Sequence, residues 1–203
     1  MLSRTKLQDS TLAAHFKVAI KHGEIVMKKI LALLAIGMLP LTAAAHGPSP
    51  QKVEKTVVID ASPDKVWGLV KDFGGWQKWH PAIESTKLDK RKDDAGQEET
   101  TRLLTLKGGG TILENLKSID DSSKQMKYGI IEGVLPVADY YSTISVKAVD
   151  GGKSEVKWMG RFYRVYKLNP PIPPGQDDKS ALDAVNGVYD AGLANLKKVA
   201  EGK

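Results

Sequence analysis

The fold of this chain is decided by residues 53–81, which read VEKTVVIDASPDKVWGLVKDFGGWQKWHP. Residues 53–59 alternate in polarity as a β-strand does. The Ser-Pro-Asp at 62–64 then supplies a helix N-cap, a proline suited to the first helical position and an acid for the first turn. Apolar side chains at helical spacing continue to the glycine pair at 74–75, which ends the helix. A strand, a short helix and a second short helical turn around 76–79 are therefore predicted.

Six further strand-like segments follow this opening, and a long helix closes the chain. The segments are separated by short turns rich in Gly, Asp and Ser, which favour antiparallel neighbours. The Pro-rich stretch 168–176 is extended, and apolar positions from 178 to 200 then form one stripe of an amphipathic helix. The predicted strands are 83–88, 100–106, 111–119, 125–131, 140–149 and 155–166.

This order of elements predicts the α+β class, with two short helices after the first strand. A curved antiparallel sheet of seven strands needs a long apolar surface to cover its concave face. The C-terminal helix supplies the one stripe of that length, so we expect the sheet to wrap around it and leave an interior space beside it. We assign residues 52–203 to one domain and residues 46–51, which are rich in Pro, Gly and Ser, to a flexible leader.

The first 45 residues predict export. Residues 27–29, Met-Lys-Lys, form a basic segment, 30–39 are an apolar run, and three alanines ending at Ala45 match the small-x-small pattern of signal peptidase sites. We therefore assign 27–45 to a signal peptide cleaved after Ala45, which places the protein in the periplasm. The apolar run is about half the roughly 20 residues of a membrane-spanning helix, so no stable membrane anchor is expected. Residues 1–26 are either a mis-called start or a long n-region.

Export also changes how the net charge is interpreted. The full chain has a formal net charge of +6 and an isoelectric point of about 9.3, values that suit an anionic partner such as nucleic acid. Residues 1–45 hold six of the 30 basic and two of the 24 acidic side chains, which leaves a net charge of +2 for the rest. We therefore expect no nucleic-acid partner.

Residues 53–81, which begin with the predicted strand, carry a resemblance to a known family. Their pattern A-S-P-x-x-V-W-x-L-V-x-D-F followed by W-x-x-W-x-P resembles the opening of the START/Bet v1-like (SRPBCC) superfamily, in its polyketide cyclase/dehydrase branch. The resemblance implies a helix-grip fold around a lipophilic cavity, but no particular reaction. Within that branch the signal peptide, the W-H-P at 79–81 and the N-P-P-I-P-P-G-Q at 169–176 resemble exported MxaD-type proteins of methanol oxidation. This resemblance implies a non-catalytic accessory role beside a periplasmic dehydrogenase and its cytochrome.

The chain offers few groups for catalysis or metal binding. It has no cysteine, which excludes disulfides and thiolate nucleophiles, and no Walker, dinucleotide-binding or G-x-S-x-G pattern is present. After residue 45 the only histidines are His46 and His80. His80 is interpreted as a loop residue that hydrogen-bonds the backbone, with a catalytic base as the alternative. His46, as a new N-terminus, and His80 form at best a weak copper site, so no cofactor is expected.

A ligand cavity accounts for more of the sequence than catalysis or metal binding does. Strand periodicity places Tyr128 and Glu132 on one face, and it separates Trp158 and Phe162 from a charged face that is expected to meet solvent. The final helix contributes further aromatic and polar groups. Apolar walls with a few polar groups are typical of small-molecule pockets. The candidate cavity residues are Trp67, Trp79, Tyr128, Glu132, Tyr140, Trp158, Phe162, Asn186 and Tyr189.

Three functions fit these observations. The favoured hypothesis is a non-catalytic periplasmic protein that binds a lipophilic small molecule in the cavity, or assists a periplasmic dehydrogenase and its cytochrome. The alternative is a cyclase or dehydratase that acts on an aromatic or polyketide-like substrate through a Tyr, Glu or Arg of the cavity. The third hypothesis is an interaction module with a filled interior, which docks through an exposed turn at Trp76 and Trp79.

The export assignment has a direct test. Because the signal peptidase site ends at Ala45, we expect the protein recovered from the periplasm to begin at His46. Intact-mass spectrometry of the protein expressed from the full gene measures this start. Ala45→Leu should leave an uncleaved precursor, whereas Ala44→Leu, at the unrestricted middle position, should be processed normally. A mature protein that keeps residues 27–45 would contradict the assignment.

Overall fold

The computed structural model describes residues 47–203. The predicted signal peptide, its cleavage after Ala45 and the proposed N-terminal His46 lie outside the described residues. No helix within 47–203 is long and apolar enough to cross a membrane.

Seven strands and two α-helices make up this part of the chain. A short α-helix and a 3-10 turn, Trp76–Lys78, separate the first strand from the other six. Another 3-10 turn, Asp150–Gly152, joins the last two strands. The strands are β1 Gln51–Ile59, β2 Ile83–Lys92, β3 Glu98–Leu106, β4 Thr111–Asp120, β5 Gln125–Gly133, β6 Val137–Val149 and β7 Lys153–Arg164, and the helices are α1 Pro63–Lys71 and α2 Asp178–Glu201.

Both α-helices begin at caps that the sequence specifies. The Ser62 side chain accepts a hydrogen bond from the Lys65 amide at 3.4 Å, and Pro63 opens α1. Asp177 caps α2 in the same way, by accepting a hydrogen bond from the Ser180 amide at 2.7 Å. Each cap satisfies an amide that has no partner within its own helix, which fixes where the helix starts.

All seven strands belong to one antiparallel sheet in the order β1-β7-β6-β5-β4-β3-β2. Strands β2 to β6 each pair with the next strand in the chain, while β1 lies at the far edge beside β7. Helix α2 packs against β1 and β7. The predicted helix-grip fold, a curved seven-stranded sheet around a long C-terminal helix, is therefore confirmed. The second of the two predicted short helices is a single 3-10 turn.

The close approach of α2 to the sheet depends on two glycines. A Cβ atom at Gly192 would lie 2.8 Å from the Trp158 ring and 2.7 Å from the His80 ring. A Cβ atom at Gly160, in β7, would clash with the hydroxyl oxygen of Tyr189. Because neither position has room for a larger side chain, helix and sheet meet ring to ring, and Trp158 and Tyr189 stack with their centroids 4.2 Å apart.

The two tryptophans of the first 3-10 turn are buried, so the expected docking surface at this turn is wrong. Trp76 and Trp79 are only 2% and 1% exposed. Their indole N–H groups donate to the carbonyl oxygens of Val70 and Leu69, at 2.9 and 3.2 Å. These carbonyls lie in the last turn of α1 and have no partner within that helix, so the indoles cap its C-terminus. Asn195 of α2 in turn donates to the Trp79 carbonyl at 2.7 Å.

Burial of the apolar stripe determines how much α2 stabilises the fold. Leu196 on α2 is fully buried, whereas Leu168 in the Pro-rich segment is 68% exposed. Truncating a buried leucine to alanine removes its apolar contacts and leaves a cavity, at a cost of about 2–5 kcal/mol. We expect Leu196→Ala to lower the free energy of unfolding by that amount and Leu168→Ala to change it by less than about 0.5 kcal/mol. Urea denaturation measures both, and equal effects would contradict the placement of α2 in the core.

Candidate functional site

A cavity of about 70 Å³ lies between the concave face of the sheet, the 3-10 turn at 76–78 and α2. Its inner wall is mostly apolar. Four lining residues are less buried than the others and are called the rim here: Ala82, Leu106, Leu135 and Val188. The apolar inner wall consists of Trp76, Ile83, Leu104, Ile112 and Trp158.

The volume of the cavity limits what it holds. One water molecule needs roughly 10–15 Å³ of cavity volume on this scale, so the cavity corresponds to a molecule of about five to seven non-hydrogen atoms. Pockets for drug-sized ligands measure roughly 300–1,000 Å³. A larger ligand therefore fits only if side chains of the rim move aside.

A buried ion pair borders the cavity. Arg102 Nε donates to Glu114 Oε2 at 2.6 Å, and Arg102 Nη1 donates to the Phe73 carbonyl oxygen at 2.8 Å. The guanidinium carbon lies 4.1 Å from the centroid of the Phe73 ring and 3.8 Å from that of the Trp76 ring. These contacts compensate the positive charge of Arg102, which is completely buried and does not line the cavity. Glu114 does line it.

The protonation of Glu114 reflects two opposing effects. Burial raises the pKa of this carboxyl above its ordinary value, because an apolar surrounding disfavours the charged form. The charge and the hydrogen bond of Arg102 act in the opposite direction. Glu114 is therefore a carboxyl of raised proton affinity on an apolar wall, still held in place by its partner.

A second polar network lies between the sheet and α2, and its donors and acceptors can be assigned. Ser142 Oγ donates its one proton to the Met159 carbonyl at 3.1 Å. It therefore accepts from Trp158 Nε1 and from the Tyr189 hydroxyl, both at 3.0 Å. Since the Tyr189 proton is used there, Tyr140 must be the donor in the 2.6 Å contact between the two tyrosine hydroxyls. The hydroxyl oxygen of Tyr140 can therefore still accept a hydrogen bond from a further donor.

Tyr128 and Tyr140 are the hydroxyl groups that line the cavity. Tyr128 accepts a hydrogen bond from Trp158 Nε1 at 3.0 Å, so its own O–H can turn toward a molecule in the cavity. Burial raises the pKa of both hydroxyls well above the ordinary value of 10.0. Both tyrosines are therefore neutral and act as hydrogen-bonding groups.

His80 lines the cavity, but its ring is occupied by the backbone. Its Nε2 atom lies 3.1 Å from the Val188 carbonyl oxygen, which only accepts, so Nε2 carries the proton. Its Nδ1 atom accepts from the Ala82 amide at 3.3 Å. Burial lowers the pKa of His80 to about 4, so the ring is neutral at physiological pH. The histidine connects the loop before β2 to α2 and has no ring nitrogen left to act as a base.

The same geometry argues against His80 as a copper ligand, because both ring nitrogens already have backbone partners. The other ligand of that weak alternative, His46, lies outside the described residues. Within 47–203 there is also no group of three or more His, Cys, Asp or Glu residues that could hold a metal ion.

The structure brings five of the nine candidate cavity residues to the cavity or directly behind it. Tyr128, Tyr140 and Trp158 line it. Tyr189 lies behind Tyr140 through their hydrogen bond, and the Phe162 ring stacks on Tyr140 at a centroid distance of 6.0 Å. Their part in ligand binding stays a prediction.

Three other candidates have roles outside the cavity. Trp67 is a buried residue of α1 itself, and its indole donates to Asp121 Oδ1 at 2.6 Å. Trp79 caps the end of α1 through its indole N–H, and its ring centroid lies 6.0 Å from that of Trp158. The Asn186 side chain donates to the Leu182 carbonyl oxygen of its own helix. None of the three lines the cavity.

Glu132 is exposed, so the expectation that it shares the inward face of Tyr128 is wrong. The reason is a β-bulge between β4 and β5. Glu114 pairs with Ile130, but the preceding residue, Leu113, pairs with Glu132, so one residue of β5 is skipped. An extra residue reverses the alternation of side chains beyond it, which turns Glu132 to the outer face of the sheet.

Sequence reasoning did not single out Arg102 and Glu114 as partners, although a signal was available. The two residues lie opposite each other in the pairing of β3 with β4. The glycines at 108–110 mark the hairpin turn between these strands, and counting back equally from residue 108 pairs 102 with 114. Opposite charges in a cross-strand pair on apolar strands indicate a buried ion pair.

A helix-grip domain with an apolar cavity at its centre defines the START-like class of hydrophobic-ligand-binding folds. The chain belongs to the family described as polyketide cyclase / dehydrase and lipid transport, whose model matches residues 50–201. This match includes all seven strands and the whole of α2, and it confirms the superfamily resemblance of residues 53–81.

Solved structures share this fold. The protein XoxI from Bacillus cereus is 29% identical, with a TM-score of 0.59 over 73% of this chain and 94% of that chain. An uncharacterised protein from Bacillus thuringiensis is 30% identical, with a TM-score of 0.60 over 73% of this chain and 98% of that chain. The ZhuI aromatase/cyclase from Streptomyces sp. R1128 is 18% identical, with a TM-score of 0.60 over 75% of this chain and 94% of that chain. At this low identity the likeness concerns the fold alone. None of the curated proteins compared with the chain matches it.

The buried histidine predicts how stability depends on pH. The unfolded chain takes up a proton on His80 near pH 6.5, whereas the folded protein does so only near pH 4. We therefore expect the free energy of unfolding to fall as the pH drops through this window, by about 3 kcal/mol from this residue. Urea denaturation at several pH values measures the loss, and the difference from His80→Gln isolates it from the carboxylates. An NMR titration in which the His80 imidazole, assigned by its absence from His80→Gln, takes up its proton near pH 6.5 would contradict this.

Proposed function

We propose that this domain holds a small, largely apolar molecule in its cavity and releases it unchanged. The observation that carries the proposal is a space of about 70 Å³ inside the core, with apolar walls and three polar groups that can still hydrogen-bond a ligand. Those groups are the Glu114 carboxyl and the hydroxyls of Tyr128 and Tyr140. A few polar groups on apolar walls are the usual composition of a small-molecule site.

The energetics also favour an occupant. A cavity of this volume costs the folded protein about 2 kcal/mol at roughly 24 cal/mol per Å³. A molecule that fills it restores the lost contacts and shields the apolar wall from water. Binding should therefore stabilise the fold as well as retain the ligand.

The groups at the cavity suit binding better than conversion. His80 is neutral and both of its nitrogens have backbone partners. The two lining tyrosines have raised pKa values and do not release their protons near neutral pH. Glu114 is the one lining group that suits proton exchange, and Arg102 holds it in place. The cyclase or dehydratase alternative therefore depends on Glu114 and can be tested there.

We place this binding in the periplasm, as an accessory to a dehydrogenase and its cytochrome. The signal peptide pattern of residues 27–45 supports the location. The MxaD-type resemblance of residues 79–81 and 169–176 supports the accessory role. A gene for a quinoprotein dehydrogenase next to the gene for this chain would strengthen the second proposal, and its absence from the genome would contradict it.

Closing the rim should abolish binding. Ala82 is exposed and belongs to the rim, whereas Ala194 is an exposed alanine of α2 that does not line the cavity. We expect Ala82→Phe to obstruct the cavity with its ring, while Ala194→Phe adds the same ring elsewhere. Native mass spectrometry of the protein purified from its own host should show a bound small molecule in the wild type and in Ala194→Phe, but not in Ala82→Phe.

Two results would contradict this proposal. The first is retention of the molecule by Ala82→Phe, which would place it outside the cavity. The second is a protein without any bound molecule that also fails to take up added short-chain compounds. Recovery of the molecule in dehydrated or cyclised form, with Glu114→Gln abolishing the change, would instead support the enzyme alternative.

A further inference from the structure

Among the residues that the structure describes, those lining the cavity present a carboxyl group to its contents and no positive charge. The titratable side chains that line it within residues 47–203 are Glu114, His80, Tyr128 and Tyr140. The histidine and both tyrosines are neutral at physiological pH for the reasons given above. Glu114 is therefore the group that decides which charge a ligand can carry.

Arg102 is the nearby cation, but a ligand does not meet it. It lies behind the wall, with its guanidinium between the rings of Phe73 and Trp76 and its Nε on Glu114. Its Nη2 atom is buried and has no hydrogen-bond partner among the described residues. The aromatic rings thus separate the guanidinium from the cavity, and the carboxyl group is what a ligand contacts.

These positions favour one kind of polar group. An anion would lose its hydration in this apolar surrounding. The ion pair with Arg102 at 2.6 Å favours the carboxylate form of Glu114, which repels an anion at close range. A cation would lose its hydration too, and Arg102 already compensates Glu114 at 2.6 Å. A neutral hydroxyl group can donate to Glu114 and accept from the Tyr128 hydroxyl, so it satisfies both.

We propose that the cavity selects neutral molecules that carry a hydroxyl group, alcohols or phenols, and rejects carboxylates and ammonium ions. This inference rests on the proposed function, because it names the ligand class of the same cavity. The specificity arises mainly from the repulsive and desolvation costs that ions meet there.

A matched series of small ligands tests the inference. 1-Butanol, butyrate and butylammonium each have four carbon atoms in a row and five or six non-hydrogen atoms, so they are similar in size and differ mainly in the charge of the polar end. We titrate each into the ¹⁵N-labelled protein, purified from cells that express the full gene, at pH 7.5 and constant ionic strength. Amide shift changes around Tyr128 and Trp158 give the dissociation constants. We expect 1-butanol to bind at least tenfold more tightly than either ion.

The charge of Glu114 should be the cause of this preference. Glu114→Gln keeps the shape of the side chain but removes its negative charge, which leaves Arg102 uncompensated. We expect the preference for 1-butanol over butyrate to fall below threefold or to reverse. Glu132→Gln is the matched control on the outer face, and its preference should equal that of the wild type. If Glu114→Gln does not fold, Tyr128→Phe replaces it, and there 1-butanol should bind about fivefold more weakly.

The outcomes separate the two proposals. If no member of the series binds in the cavity of the wild type, the proposed function itself is contradicted. If butyrate or butylammonium binds as tightly as 1-butanol, the cavity is a binding site but the hydroxyl selectivity is wrong. Tight binding of butyrate in the wild type would mean that an anion reaches Arg102 Nη2.

Discussion

The site depends on the buried ion pair between Arg102 and Glu114. It joins β3 to β4, and through the Phe73 carbonyl and the Trp76 ring it also holds the segment after α1 against the sheet. Two charges away from water are tolerated only while they stay paired, and loss of one partner typically costs about 3–5 kcal/mol. Arg102 therefore holds the Glu114 carboxyl in place at the cavity wall. A buried glutamate without such a partner would lack this contact.

The hydroxyl network on the other side of the cavity has a complementary role. Ser142 and the Trp158 indole connect three tyrosine hydroxyls, so each polar group of this network has a partner. Two of those hydroxyls, on Tyr128 and Tyr140, still face the cavity. The interior is thus apolar over most of its surface and polar only at groups whose orientation is fixed by other contacts. A cavity of this kind binds through shape and a few directed hydrogen bonds.

Most of the fold was predictable from the sequence, because caps, alternation and the C-terminal stripe are local signals. Which residues face the interior was harder to predict, since this depends on features that have no signal in the neighbouring sequence. A bulge turned Glu132 outward against its periodicity. Trp76 and Trp79 looked like an exposed pair but cap α1 from inside the core. The ion pair of Arg102 and Glu114 needed the register of one hairpin, which the glycines at 108–110 would have supplied.

The central claim is that a ligand's polar end contacts the Glu114 carboxyl inside the domain. A crystal structure of the protein soaked with 1-butanol tests this most directly. The account predicts the butanol oxygen within hydrogen-bond distance of a Glu114 carboxyl oxygen and its chain against Trp158 and Ile112. An alcohol bound elsewhere, or a cavity closed by side chains with nothing inside, would contradict it.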